Sequence, residues 1–301
     1  MKVVIVGAGA IGLLIGSYIG EKSHEITYVT RTTQQAHKLR TLGLTRFNPT
    51  GGKVNIRVDA VDEIGQAPTE ALWIVAVKYH HLSNIERELQ KLPLTTRLVF
   101  IQNGLAHLQW MENLKQEQLY IATIEHGAMK KDETTVHHKG VGLTRIAPFK
   151  QTSRIRLDIS SIQSSSFEID LMDNAYGIVL RKAILNACIN PITAILHIKN
   201  GELISNQYAN QLMKDLFNEI QEAFPEIRTM LSLDDVYALC GKTALNYSSM
   251  LQDLQYRRKT EIEPIVGAII QLASTRNKEL PLMKSLYHIV LAMEEKGDSI
   301  E

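Results

Sequence analysis

The sequence predicts an α/β protein in which a doubly wound, mainly parallel sheet is followed by an all-helical C-terminal domain. Three observations carry this expectation. Short β-branched runs alternate with helix-like stretches through the first half. The first of those runs leads straight into closely spaced glycines at Gly7, Gly9 and Gly12. From Asn174 onward, apolar residues recur at helical spacing almost to the C-terminus.

In order along the chain, the expected strands are Val3 to Val6, Ile26 to Val29, Leu72 to Val77, Leu98 to Ile101 and Tyr120 to Ile124. Several are almost continuously apolar, as strands covered on both faces must be. Gly51 to Lys53 reads as a hairpin turn, because Phe47 and Val54 stand where a phosphate loop needs Gly and Ser or Thr. After Val136 the texture changes to the polar-spaced strands VGLTRIAP and RIRLDI, the serine-rich stretch Ser160 to Ser166, and a last short strand near Phe167 to Ile169. The expected domains are therefore residues 1–172 and 173–301, the second interrupted mainly at Pro191, Gly201, Pro225, Gly241 and Pro281.

Composition narrows the function classes. With 301 residues the chain is long enough for two cores, and 45% hydrophobic with 22% charged residues excludes disordered, collagen-like and coiled-coil chains. Basic and acidic residues number 33 and 32, a net charge of +1, so no broad positive field for nucleic acid is expected. Cys188 and Cys240 are too few for a disulfide framework and suit a reducing cytoplasm. No secretory cleavage region and no run of eighteen apolar residues is read, so a soluble cytoplasmic protein without a membrane partner is expected. His80 with His81 and His137 with His138 lack a third ligand at zinc spacing, and no metal is expected. Cys188, among apolar neighbours, reads as packing.

The run KVVIVGAGAIG has the G-x-G-x-x-G spacing after a strand and before a helix. Gly7 permits the tight turn, Gly9 lets the backbone approach a pyrophosphate, and Gly12 allows close packing, while the helix N-terminus offers N–H groups and positive dipole. The loop Gly7, Ala8, Gly9, Ala10, Ile11 and Gly12 is thus the expected cofactor cradle of a Rossmann-type domain. At the end of the second strand, where an Asp or Glu would hold a free ribose, the chain reads Thr30 and Arg31. An arginine there pairs with a 2′-phosphate, favouring NADP(H) over NAD(H), unless Arg31 is merely solvated. Lys78, and Asn103 with Gly104, follow strand ends on the ligand-binding rim; Lys78 alone reads equally as a solvated lysine.

In the helical half, Lys182, Asn186 and Asn190 stand at steps of four and line one stripe of an otherwise apolar helix that Pro191 is expected to break or kink. Either Lys182 reaches solvent and the asparagines stitch helices together, or the stripe meets a substrate carboxylate or ketone. Thr260 and Glu263 have capping-box spacing, so a new helix is expected near Glu261, folding the chain back toward Ser248 and Ser249. Glu261 itself reads either as a site carboxylate or as a helix-dipole partner.

These residues resemble the ketopantoate reductase (2-dehydropantoate 2-reductase) family across essentially the whole chain. The resemblance is carried by GAGAIG, Lys78, Asn103 with Gly104, HKGVGLTRIAP, RKAILNACINPITA, NGEL at Asn200 to Leu203, and SSMLQD with TEIE. It implies Lys182 as the catalytic lysine that protonates a ketone as hydride arrives from NADPH. It implies Asn103, Asn186, Asn190, Asn200 and Ser249 as substrate contacts, Lys78, Asn103 and Ala128 as cofactor contacts, and Glu261 at the junction of cofactor, substrate and catalysis. The chain departs from the family pattern at Ala76, Tyr79 to His81 and Ala106. The implied activity is NADPH-dependent reduction of ketopantoate to (R)-pantoate in pantothenate and coenzyme A synthesis, by a monomer or homodimer. The rivals are a reductase of another 2-keto acid and a non-catalytic NADPH-binding sensor.

Overall fold

The structure is a computed structural model that describes residues 1–151 and 162–298. The first unit opens with β1 (Lys2–Val6), α1 (Ala10–Glu21) and β2 (Glu25–Val29). There follow α2 (Thr33–Leu42), β3 (Leu44–Phe47), β4 (Lys53–Ile56), β5 (Asp59–Val61), β6 (Leu72–Val75), α3 (Leu82–Lys91), β7 (Arg97–Phe100), α4 (Ala106–Glu112) and β8 (Gln118–Ile124). The unit ends with β9 (Gly127–Lys130), β10 (Thr135–Gly140), β11 (Leu143–Gln151) and β12 (Glu168–Leu171).

An eight-stranded sheet has the order β12-β11-β8-β7-β6-β1-β2-β5. The run from β5 to β8 is parallel throughout, which is the 3-2-1-4-5-6 order of a dinucleotide-binding sheet. The strand order reverses between β1 and β6, and the carboxyl ends of those strands define the crevice for a ligand. Val3 to Val6 and Leu72 to Val75 are fully covered, as the apolar runs require. The far edge is not parallel: β11 runs antiparallel to β8, and β12 parallel to β11.

A second, four-stranded sheet, β4-β3-β10-β9, was not anticipated from the sequence. Its strands mix a few apolar residues with Arg46, Asn55, His137 and Lys130, so no continuous apolar run announces them. The Gly51–Lys53 hairpin expectation holds: Gly51 and Gly52 have φ of 91° and 81°, which favour glycine, and join β3 to β4. The strand expected at RIRLDI, with Ser160, lies outside the described residues. The strand near Phe167 is β12.

The chain divides into two compact units, Met1–Gln102 with Gln109–Ile178, and Asn103–Leu108 with Val179–Glu301. The second is helical, with α5 (Ala175–Leu196) from Val179 onward, α6 (Glu202–Ser205), α7 (Gln207–Ala223), α8 (Leu233–Lys242), α9 (Ser249–Gln255), α10 (Ala268–Thr275) and α11 (Pro281–Asp298). The segment Asn103–Leu108 groups with these helices although it follows β7 in the chain.

Two sequence expectations are corrected here. Pro191 does not end its helix; α5 continues to Leu196. Burial of Ala187, Cys188, Ile192 and Ala194 around it supplies packing that outweighs the one backbone hydrogen bond a proline removes. That same helix is long and apolar enough to cross a membrane, yet 78% of its apolar window is buried inside the protein, as in a core helix. Nor do Thr260 and Glu263 form a capping box. The Thr260 amide donates instead to Glu294 Oε1 at 2.7 Å, and Glu263 Oε1 accepts from Tyr287 at 2.5 Å. A new helix does begin there, its first turns drawn out as a π-helical stretch, Glu263–Gly267.

Candidate active site

In the first unit, the glycine loop is shaped by backbone geometry. Gly7 has φ +106° and donates its N–H to Val29 O at 2.9 Å, hooking the turn onto β2. A Cβ on Gly12 would fall 2.1 Å from the Gly7 carbonyl oxygen, so only glycine lets α1 start this close to the turn. A Cβ on Gly9 would meet nothing within 4 Å. Gly9 is also the N-cap of α1 and no side chain caps that end. The first N–H groups of the helix therefore look for partners outside it, and the open approach at Gly9 fits a pyrophosphate. Ala8 is buried, and Ala10 and Ile11 are half-buried in the same turn.

Arg31 is exposed just beyond β2, followed by Thr32, which caps α2 by accepting the Gln35 N–H at 3.2 Å. Lys78 is half-buried and lies three residues beyond the end of β6 at Val75, rather than directly after the strand. The chain leading to it is held by Gln102, whose Nε2 donates to Val75 O and Val77 O, each at 2.9 Å. Burial, Arg31 and Lys78 together push the His81 imidazole below its ordinary value. Partial burial of its ammonium end likewise lowers Lys130, a residue otherwise exposed, with Glu133 opposing, Arg31 adding to the fall and Asp132 opposing. Arg31 is thus an electrostatic neighbour of both His81 and Lys130, and this cationic surround suits an additional phosphate.

Sequence reasoning missed His81, Lys130 and Gln102. Lys130 stood two residues past Ala128, on the same face of β9, and could have been found by that period. The His80 and His81 rings, expected to diverge, approach to 4.2 Å on a tight turn at Tyr79–His81. Ala128 pairs in register with His138 on β10. His138 is buried between Tyr18 Oη at 2.7 Å and Gly140 O at 2.9 Å. A carbonyl only accepts, so the neutral ring carries its proton on Nε2 and takes the Tyr18 hydrogen at Nδ1.

In the second unit, Lys182, Asn186 and Asn190 share one stripe of α5, the first two half-buried and the last buried. Asn103 Nδ2 donates to Glu261 Oε2 at 2.7 Å. The backbone beside this pair is tightly docked. Leu105 N–H donates to Pro264 O at 2.8 Å, and a Cβ on Gly104, which has φ +79°, would lie 1.9 Å from that same oxygen. His107, on the same segment, is fully buried, and burial lowers its pKa to about 4 despite the Gly104 carbonyl.

Asn200 is buried, with Nδ2 donating to Thr243 Oγ1 at 2.9 Å and its N–H to Asn246 O at 3.0 Å. Its Oδ1 is buried without a hydrogen-bond partner, an acceptor to which a ligand hydroxyl could donate. Of the two serines, Ser248 is committed to structure: it caps α9 and accepts from Thr193 Oγ1 at 2.8 Å. Ser249 is exposed on the first turn of α9. Cys188 is fully buried, and burial raises its thiol, as packing requires. Among the described residues, no group of three or more His, Cys, Asp or Glu gathers as a metal site would.

The sequence profile described as "Ketopantoate reductase PanE/ApbA" matches residues 3–151, and that of the family's C-terminal part matches residues 174–294. The chain belongs to the ketopantoate reductase family. A 2-dehydropantoate 2-reductase of Listeria innocua is 35% identical over 298 residues, covering 98% of this chain and 97% of that one. The crystal structure of a probable 2-dehydropantoate 2-reductase from Bacillus subtilis superposes with a TM-score of 0.85 at 31% identity, covering 97% of this chain and 100% of the other. A ketopantoate reductase from Staphylococcus aureus, described as dimeric, shares the fold at a TM-score of 0.76 and 21% identity, over 99% of this chain and 100% of that one. The Rossmann-type sheet and helical C-terminal unit are the fold of ketopantoate reductases.

Proposed function

We propose that this ketopantoate reductase reduces 2-dehydropantoate to (R)-pantoate with NADPH, in the cytoplasm, on the route to pantothenate and coenzyme A. The observation that carries the reading is Lys182, half-buried on an apolar core helix in line with Asn186 and Asn190. Residues 1–172 form the NADPH-binding domain in this reading, and residues 173–301 the substrate and catalytic domain. No metal, nucleic acid or membrane takes part, and the working form is a monomer or homodimer.

NADPH, when bound, supplies the hydride. The open N-terminus of α1 from Gly9 to Gly12 receives the pyrophosphate, and Arg31 pairs with the 2′-phosphate. Lys78, Asn103, Ala128 and Glu261 complete the cofactor contacts. Lys182 hydrogen-bonds the ketone oxygen, stabilises the alkoxide charge that develops in the transition state, and then gives up its proton to that oxygen. Asn103, Asn186, Asn190, Asn200 and Ser249 orient the substrate, with the Asn200 Oδ1 acceptor suited to its hydroxyl. Glu261, held by Asn103, orients the hydroxyls and the lysine. The several polar contacts favour a substrate with hydroxyl as well as carboxylate over a simpler 2-keto acid.

The test is isotopic. With NADPH deuterated at the transferred position, the pantoate formed from ketopantoate should carry the label and the R configuration. Unlabelled pantoate, or no pantoate, contradicts the reading.

A further inference from the structure

The carbonyl of Ala8, between the first two glycines, accepts two side-chain hydrogen bonds. Gln35 Nε2 reaches it at 3.0 Å and Lys130 Nζ at 3.0 Å. Neither residue belongs to the glycine motif. Gln35 lies in the first turn of α2 and is 8% exposed. Its amide also donates to Glu133 O at 2.8 Å. Both partners are carbonyls, which only accept, so the two hydrogens of that amide are both committed. Glu133 sits in a braced turn, in which Lys131 N–H donates to Thr135 O at 2.9 Å and Thr134 N–H to Asp132 Oδ1 at 2.9 Å. The Ala8 carbonyl is therefore tied to α2, to β9 and, through Gln35, to the β9–β10 turn.

A trans peptide keeps its C=O and N–H in one plane, pointing in opposite directions, and the Ala8–Gly9 bond is trans. Turning the Ala8 oxygen toward Gln35 and Lys130 aims the Gly9 N–H the other way. Gly9 is the uncapped start of α1, where an added Cβ would meet nothing within 4 Å. We propose that Gln35 and Lys130 are positioning residues that set the Ala8–Gly9 peptide so that the Gly9 N–H donates to the cofactor pyrophosphate. The inference rests on the NADPH reading and extends it to residues outside the loop. Because the pyrophosphate is common to NADPH and NADH, the effect of Gln35 is blind to the 2′-phosphate.

The experiment measures Kd for NADPH and for NADH by calorimetry on the full-length protein and four variants. Gln35→Met keeps the length and removes both donors; Gln35→Glu places carboxylate oxygens against two carbonyls. The exposed Lys130 allows Lys130→Met and Lys130→Arg with little risk to folding. Gln35→Met should weaken both nucleotides by the same factor, on the order of tenfold, and Gln35→Glu by more. Lys130→Met should weaken both, and Lys130→Arg should restore them. In turnover, KM for NADPH should rise in Gln35→Met while kcat at saturating NADPH is kept, a split that a general loss of structure would not give. Unchanged Kd values in Gln35→Met and Lys130→Met, or a Gln35→Met loss confined to NADPH, overturn the inference. A wild-type protein that binds no NADPH overturns the cofactor reading and this inference together, an outcome distinct from the failure of this inference alone.

Discussion

Asn103 Nδ2 donates to Glu261 Oε2 across 2.7 Å, joining residues 158 positions apart in the chain. Asn103 follows β7, yet its segment groups with the helices, because the Leu105 N–H takes the Pro264 carbonyl and Gly104 passes against it. Pro264 lies in the π-helical stretch Glu263–Gly267; such stretches recur at functional sites. Backbone docking thus holds Asn103 beside Glu261, the two residues proposed above to meet cofactor and substrate.

Gly104→Ala tests that docking. The new Cβ cannot occupy a point 1.9 Å from Pro264 O at φ +79°, so the segment must shift, which should displace Asn103 from Glu261. Denaturant unfolding should show a loss of about 1–3 kcal/mol, and kcat/KM for ketopantoate should fall by at least roughly tenfold. Wild-type kcat/KM would show that the contact is dispensable.

Lys182→Ala removes the proposed proton donor. Turnover should fall on the order of 10³-fold, while the Kd for NADPH stays within about twofold, since no step assigned to Lys182 binds the cofactor. Unchanged turnover refutes the role.

Arg31→Ala removes the charge proposed to pair with the 2′-phosphate. The ratio of NADPH to NADH kcat/KM should shrink by about tenfold to a hundredfold, chiefly through NADPH. Equal ratios before and after would remove Arg31 from cofactor choice.

His107 gives a signature in acid. Its pKa is 6.5 in a free side chain and about 4 in the fold, so the unfolded chain binds the extra proton first as pH falls. The stability its burial contributes is present above pH 6.5 and is lost on going down toward pH 4, by on the order of 3 kcal/mol. Denaturant unfolding between about pH 7 and 4 should show a shallower loss in His107→Leu than in the wild type. Parallel pH profiles would place the acid lability elsewhere.

The parallel strands were legible in sequence because burial on both faces leaves near-continuous apolar runs such as Val3 to Val6 and Leu72 to Val75. The second sheet was not, because the polar Arg46 and His138 stand on its buried face and its pairing joins β3 to a β10 far along the chain. At Pro191 local propensity allowed a break or a kink, and core packing carries the helix through without the break. In the site, Gly7 and Gly12 were readable as required glycines from the motif spacing, and the structure shows why in the Cβ clash at Gly12 and the positive φ at Gly7; the tight docking of Gly104 on Pro264 O came from the structure alone. Gln35, Gln102 and the Pro264 carbonyl act through contacts distant in sequence, and no local pattern marks them.

The most direct measurement mixes the purified protein with NADPH and ketopantoate and follows cofactor absorbance, with NADH and other branched 2-keto acids as parallel arms. Rapid oxidation of NADPH with ketopantoate, and slow oxidation in every other arm, is the predicted result. Oxidation only with another keto acid, or NADPH binding without turnover, would contradict it.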